Sequence, residues 1–509
     1  MTEPAYSNKR IAKNTLMLYL RMFLTMAISL YTSRVVLSTL GIEDYGTYNV
    51  VGGVVVMFTF INGAMSTATM RYITFELGRG NIERLKTVFR TSIQVFVILA
   101  FIIVLLSETI GLWFLYHKLT IAPDRMTAAL WVFQISIIDC VLRMIVIPFN
   151  AEVISHEKMS TFAYLSILDV TLKLIIVYLL QVIPFDKLII YALLMFAVSI
   201  IHISIYLIYC FKHFPEINFQ FRLDKPLLKE MTSFAGWGLF GNLAGVLYNQ
   251  GLNMLLNIFF GPVVNAARGV ALQVQGTVQS FIVNFQMALN PQITKSYAKG
   301  NLDRMHTLIF TSSKFSFYLL FILALPITIE ANQILGVWLK EVPNHSVSFI
   351  RLLFSIALIE TLANPLVISN QATGKVKKYQ IVVGGIQLLI VPIAYIVLKL
   401  GGNPESVYLV QFVIMLCAQI ARIFMIKPLI QLPLKKYFNE VIVRVLIVAI
   451  TAPIIPLFIY FNTHVMSTTN FFMVCLFSVI SVFISIYLIG ITQNERQMIL
   501  SYLQKRIKR

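Results

Sequence analysis

Two acid–base pairs with helical spacing lie inside apolar segments of this 509-residue chain: Asp139 with Arg143, and Asp169 with Lys173. Each is an i,i+4 pair, the spacing that places opposite charges on one helix face. Within a membrane such charges are costly and serve pairing, ion pathways or substrate binding. Counted from their helix ends at about 1.5 Å per residue, Arg143 lies level with Asp169, and Asp139 level with Lys173. Antiparallel neighbours can then neutralise each other across helices, and an ion or proton relay is the competing reading. Glu360, with Asn364 one turn on, is a lone acid near mid-span that either titrates or hydrogen-bonds beside Pro365.

Polar residues form stripes. Arg21, Thr25, Ser29 and Thr32 share one face of the first apolar segment. There Arg21 offers a permanent cation to an anionic substrate, unless its head snorkels to the interface, the reading preferred for Arg34. Thr59, Asn62, Ser66 and Thr69 form a second stripe, able to line a cavity or to bond a neighbouring helix. Asn242, Asn249, Asn253 and Asn257 make a third, with Gly241 and Gly245 beside them for close helix approach. Arg268, Gln275, Gln279 and Gln286 make a fourth. The last two read as polar walls facing a central cleft, and amides suit sugar hydroxyls because they both donate and accept.

The elements that position these residues follow from composition. The chain is 58% hydrophobic and 12% charged, with a mean hydropathy of +0.80, whereas soluble domains carry about 25% charged residues. Apolar runs such as Val95 to Leu106 are continuous rather than alternating, so the spans are helices and not barrel strands. The expected fold is an all-α polytopic membrane protein of about fourteen helices. Net charge is +19, a value that in a soluble protein would suggest nucleic acid. Here Lys and Arg crowd into alternate connections, which places both termini in the cytoplasm and gives no role to nucleic acid. Cys140, Cys210, Cys417 and Cys475 lack ligand or disulfide spacing and read as buried spectators.

The sequence repeats. ELGRGNIERLKTVFRTS (76–92) is echoed by SYAKGNLDRMHTLIFTS (296–312), Gly41 by Gly261, and Pro148 and Lys158 by Pro365 and Lys375. Two six-helix lobes in parallel repeat are expected, 1–211 and 232–427, joined by a cytoplasmic linker at 212–231. Two further helices follow at 428–491, then a basic tail at 492–509 that can meet anionic lipid heads. No Gly-rich phosphate loop or metal-ligand spacing is present, so neither an enzyme nor a metal or other cofactor is expected, with Na+ or H+ coupling left open. The acidic pair Glu43 and Asp44 in GIEDYG is the one hint of a membrane glycosyltransferase or polymerase, and its turn context favours a loop role.

LSTLGIEDYGTYNVVGG (37–53), MRYITFELGRGN (70–81) and SNQATGKVKKYQ (369–380) resemble the bacterial polysaccharide transporter or O-antigen flippase family. That family belongs to the multidrug, oligosaccharidyl-lipid and polysaccharide exporter superfamily. The resemblance implies a bacterial inner-membrane protein that flips an undecaprenyl-diphosphate-linked oligosaccharide, an O-antigen or capsule repeat unit, by alternating access. Its partners would be that lipid-linked glycan, the bilayer and other polysaccharide-assembly proteins. On this reading Arg21 and Arg268 hold the diphosphate, and the amides of segments 232–259 and 263–288, spans seven and eight of the fourteen, meet the glycan. The alternative is cation-coupled multidrug efflux, for which the multidrug branch implies an acid in the first or seventh span. Neither span has one, and an interior that is positive and amide-rich is expected to repel organic cations.

Overall fold

Long apolar stretches leave the backbone no partner but itself, and they fold as helices. The computed structural model describes residues 3–57, 60–117, 119, 121, 123–217, 224–339, 342–462, 468–493 and 495–497. The side chains of Arg34 and Glu43, and the basic tail at 498–509, lie outside the described residues. Every regular element among the described residues is helical. In order they are α1 (Glu3–Met57), α2 (Phe60–Arg79), α3 (Ile82–Leu106), α4 (Leu112–His117), α5 (Met126–Ser155), α6 (Met159–Val182), α7 (Lys187–His213), α8 (Lys225–Phe260), α9 (Pro262–Ala298) and α10 (Leu302–Ile329). After these come α11 (Ala331–Trp338), α12 (Ser346–Thr373), α13 (Lys377–Leu388), α14 (Ile390–Lys399), α15 (Ser406–Ile430), α16 (Leu434–Tyr437), α17 (Val443–Thr451), α18 (Ile454–Asn462) and α19 (Thr468–Ser485).

Among the described residues, eleven helical segments are long and apolar enough to cross a membrane. Segments 232–259 and 263–288, which carry the stripes of Asn249 and Arg268, are not among those eleven because their polar groups lower their hydropathy, and segment 47–70 contains residues 58–59, which lie outside the described residues. The protein is a polytopic all-α membrane protein. Its outward faces carry residues such as Phe101, Val182 and Ile258, well exposed and suited to acyl chains. Cys417 is on that surface as well, a correction to its reading as buried; all four cysteines are free.

Two compact units divide the chain, Met1–Leu239 and Phe240–Arg509, with the division inside α8. In unit 1, α5 packs on α2, α3 and α7, and α1 packs on α6. In unit 2, α12 packs on α9, α10 and α15. The repeated sequence carries repeated geometry. Gly80 and Gly300 take φ of 71° and 72°, and the next residues, Asn81 and Asn301, cap α3 and α10 by accepting from Arg84 and Arg304 N–H at 3.0 and 2.9 Å. Gly41 and Gly261, at φ 81° and 80°, break the chain at the matching earlier points. A side chain there would be strained, which is why glycine stands at both places.

Glycines in α8 differ sharply from one another. A Cβ on Gly251 would lie 2.6 Å from Cγ2 of Val391, and one on Gly241 would overlap the Gln380 side chain. Gly245, expected to permit close approach as well, faces open space, so that part of the expectation is corrected. Gly251→Ala is expected to cost about 1–3 kcal/mol through overpacking. Gly245→Ala should be neutral or mildly stabilising through helix propensity. Thermal unfolding of the two purified variants checks the contrast.

The helices after span twelve are docked on unit 2 and do not trail from it. α19 packs on α10, where the Tyr318 hydroxyl donates to Gly490 O at 3.0 Å. Lys314 on α10, with its side chain 1% exposed, donates to both carboxylate oxygens of Glu495 at 2.9 and 2.8 Å. Glu495 in turn closes a capping box with Thr492: it accepts from Thr492 N–H at 2.7 Å, and its own N–H donates to Thr492 Oγ1 at 3.3 Å.

Candidate functional site

Unit 1 contains a cavity of about 540 Å³ whose polar wall comes from four helices: Tyr48 of α1, Asn62 of α2, Ser136, Asp139 and Arg143 of α5, and Lys173 of α6. The i,i+4 spacing does what helical geometry allows. Asp139 accepts from Arg143 Nε at 2.8 Å, and Asp169 accepts from Lys173 Nζ at 2.6 Å. Direct contact therefore runs along each helix, while Arg143 also lies within electrostatic reach of Asp169 on the neighbouring helix, as its depth led us to expect. The reason is proximity, since one turn of helix already brings each pair into contact. Arg143 uses a further N–H on Ser199 Oγ of α7, at 2.5 Å.

Each acid is left half used. Asp139 Oδ1 and Asp169 Oδ1 are buried with no hydrogen-bond partner, and so is Asn62 Oδ1. Asn62 and Asp139 line the cavity, whereas Asp169 does not and meets it through Lys173; an acceptor buried without a donor costs about 1–3 kcal/mol. Two carboxylates balance two cations in this group. The expectation of a positive interior that repels organic cations therefore fails for unit 1, because Arg143 and Lys173 are each neutralised within contact distance.

In unit 2 the third and fourth stripes meet. Arg268 of α9, buried, donates to Asn249 O of α8 at 3.0 Å, with Asn249 Oδ1 and Asn253 Oδ1 each at 3.4 Å. Its Nε is buried without a partner. The stripes do not stay together along their whole length. Asn242 is exposed, Gln275 and Gln279 are half-buried with Gln279 Oε1 unpartnered, and Gln286 is buried in helix packing, donating to Ser316 Oγ at 3.0 Å. Glu360 is half-buried on α12, within electrostatic reach of Arg422. Arg422 is itself buried, donating to the Tyr379 hydroxyl at 2.7 Å and to Gln419.

Other predicted residues stand apart from the cavity. Arg21 lies half-buried with its guanidinium 4.6 Å from the centre of the Phe162 ring, a cation–π contact between α1 and α6. Thr25 Oγ1 donates to Met22 O of its own helix at 3.1 Å. Asp44 is gripped by Arg125, which donates from Nε at 2.8 Å and from Nη2 at 2.5 Å, and Arg125 reaches Asp186 at 2.6 Å as well. That clasp ties α1 to the starts of α5 and α7 and gives Asp44 a structural role. Burial works to raise the carboxyl of Asp186, but Arg125 and the N–H groups of Ile189 and Leu188 outweigh it and hold the group below its ordinary range.

No protein-family model matches this sequence, and no curated protein matches it. Solved structures do. MATE in complex with MaD3S aligns with a TM-score of 0.71 at 15% identity, over 83% of this chain and 97% of that one. An outward-facing multidrug resistance MATE family transporter of the MOP superfamily aligns with 0.71 at 13% identity, over 84% and 96%. A MOP superfamily transporter from Pyrococcus furiosus, for which a reverse polarity of the binding pocket suggests a different function, aligns with 0.67 at 14% identity, over 83% and 96%. The chain has the fold of these proteins.

Proposed function

We propose that this protein is an ion-coupled secondary transporter that exports an amphiphilic solute by alternating access, with the unit 1 cavity as the place where the coupling ion acts. The observation that carries the reading is the pair of buried, unpartnered carboxylate oxygens on Asp139 and Asp169. A proton or Na+ arriving there satisfies them and competes with Arg143 and Lys173, so the occupied and empty cavities differ in electrostatic energy. Fold likeness to MATE transporters supports the mechanism. The multidrug name of one neighbour and the charge balance of the cavity support small amphiphilic cations as the first solute class.

Flipping of an undecaprenyl-diphosphate-linked oligosaccharide is the second reading, and Arg268 favours it. A buried guanidinium with an unused Nε–H, flanked by Asn249 and Asn253, suits an anionic solute. The P. furiosus neighbour supports the idea that this fold accommodates pockets of opposite polarity. Both readings place the protein in a bacterial inner membrane with its termini in the cytoplasm. Proteoliposomes loaded with a cationic dye or carrying a fluorescent lipid-linked oligosaccharide separate them. The expected result is dye movement under an imposed H+ or Na+ gradient with no scrambling of the glycolipid. Glycolipid movement without dye transport transfers the assignment to flipping, and Arg268→Gln should then slow it about tenfold or more.

A further inference from the structure

At the end of unit 1 opposite the Asp44–Arg125 clasp, three ligand-type side chains converge without any part in the cavity: Glu152 and His156, one turn apart where α5 ends, and Glu216, just beyond α7. His156 Nε2 lies 2.6 Å from Glu216 Oε1 and 3.6 Å from Glu152 Oε2. One donor atom from each of the three lies within 4.8 Å of the others. Glu152 is completely buried, and neither of its carboxylate oxygens has a hydrogen-bond partner. Glu216 is buried, whereas His156 retains 26% side-chain exposure, which gives an ion a route in. The imidazole is stacked on Phe214 with ring centroids 4.5 Å apart, so its plane is fixed.

Were both carboxylates ionised, they would exceed the charge of a protonated His156 by one in a poorly hydrated place, an excess that a divalent cation balances. We infer that this cluster binds a divalent transition-metal ion, for which Zn2+ is the natural probe. Carboxylate oxygens and one imidazole nitrogen are a zinc donor set, and three protein ligands leave a fourth position for water. Mg2+ should bind far more weakly, because it favours oxygen donors and gives up water reluctantly. Ligation at the usual distance of about 2.0–2.2 Å requires His156 Nε2 and Glu216 Oε1 to exchange their present 2.6 Å contact for bonds to the metal. The ion would clamp the end of α5 to the segment leaving α7. It neutralises Glu152 without disturbing Asp139 or Asp169, so the inference holds for either solute.

The test uses the full chain in lipid nanodiscs, stripped with a chelator, desalted and titrated with ZnCl2. The result expected is one zinc retained per chain and a melting temperature that rises with zinc concentration. Glu152→Gln, His156→Ala and Glu216→Gln should each weaken retention by about tenfold or more, and His213→Ala, at an exposed position, should leave it unchanged. His156→Ala guards the test against misfolding, because its site is partly exposed. Absence of zinc on the native chain, or retention undiminished in all three variants, overturns the inference. Stabilisation by Glu152→Gln in a chain that binds no zinc overturns it too, and assigns the buried carboxyl to a proton.

Discussion

Asp169→Asn is expected to abolish the dependence of solute export on an ion gradient while leaving the protein folded. Coupling free energies between two ligands are typically about 1–3 kcal/mol, or 5- to 150-fold, and an effect of that size should vanish when the carboxylate becomes an amide. Asp139→Asn should act the same way, since both acids present a buried, unsatisfied oxygen beside a cation. A structural role makes a different prediction. If Asp169 serves only to neutralise Lys173, then Asp169→Asn combined with Lys173→Met restores transport, because no buried charge is left alone. If Asp169 receives the ion, the double variant folds and stays uncoupled. Gradient-driven efflux of the three variants, measured beside their thermal stability, decides between the two.

Glu495→Gln is expected to destabilise unit 2 by about 3–5 kcal/mol, the range for removing one partner of a buried ion pair. Lys314, at 1% side-chain exposure, would keep its charge with no counter-ion. The variant also loses the carboxylate of the capping box with Thr492. Replacing both residues, Lys314→Met with Glu495→Gln, should recover most of the loss. The pair makes a pH prediction as well. Burial works to raise the Glu495 carboxyl, yet Lys314 and Thr492 outweigh it and hold the group below the ordinary glutamate value of 4.5. Its contribution is therefore present in full above that unfolded-state value and is lost as pH falls through the lower folded-state one. Urea unfolding measured as pH is lowered below 4.5 should show a loss in the native chain that the double variant lacks.

Much of this architecture was legible in the residues. Composition dictates membrane helices, and the Gly-Asn echo at 80–81 and 300–301 predicts two turns that share φ angles and capping bonds. Helical angle alone brought Arg268 to the face that meets Asn249 and Asn253. What could not be read is which helix each face meets, because segments apolar on every side carry no contrast to select a neighbour. For that reason equal depth does not show that the direct bonds of Asp139 and Asp169 stay within their own helices while Asp169 reaches Arg143 only through space, nor that Gln286, on the stripe of Arg268, bonds within the bundle. Glu216 joins His156 across 60 residues of sequence, a distance at which spacing says nothing. Lys314 was different: a lysine deep in an apolar segment and a T-x-x-E motif at 492–495 were both present as signals of a buried tie.

Ion movement driven by the solute tests the central claim most directly. Proteoliposomes carrying the native chain and an internal pH or Na+ indicator are given a gradient of cationic dye with no imposed ion gradient. The account predicts that downhill dye movement drives H+ or Na+ the opposite way, and that Asp169→Asn shows no such flux. Dye movement with no ion flux in the native protein, or an equal flux in Asp169→Asn, contradicts it.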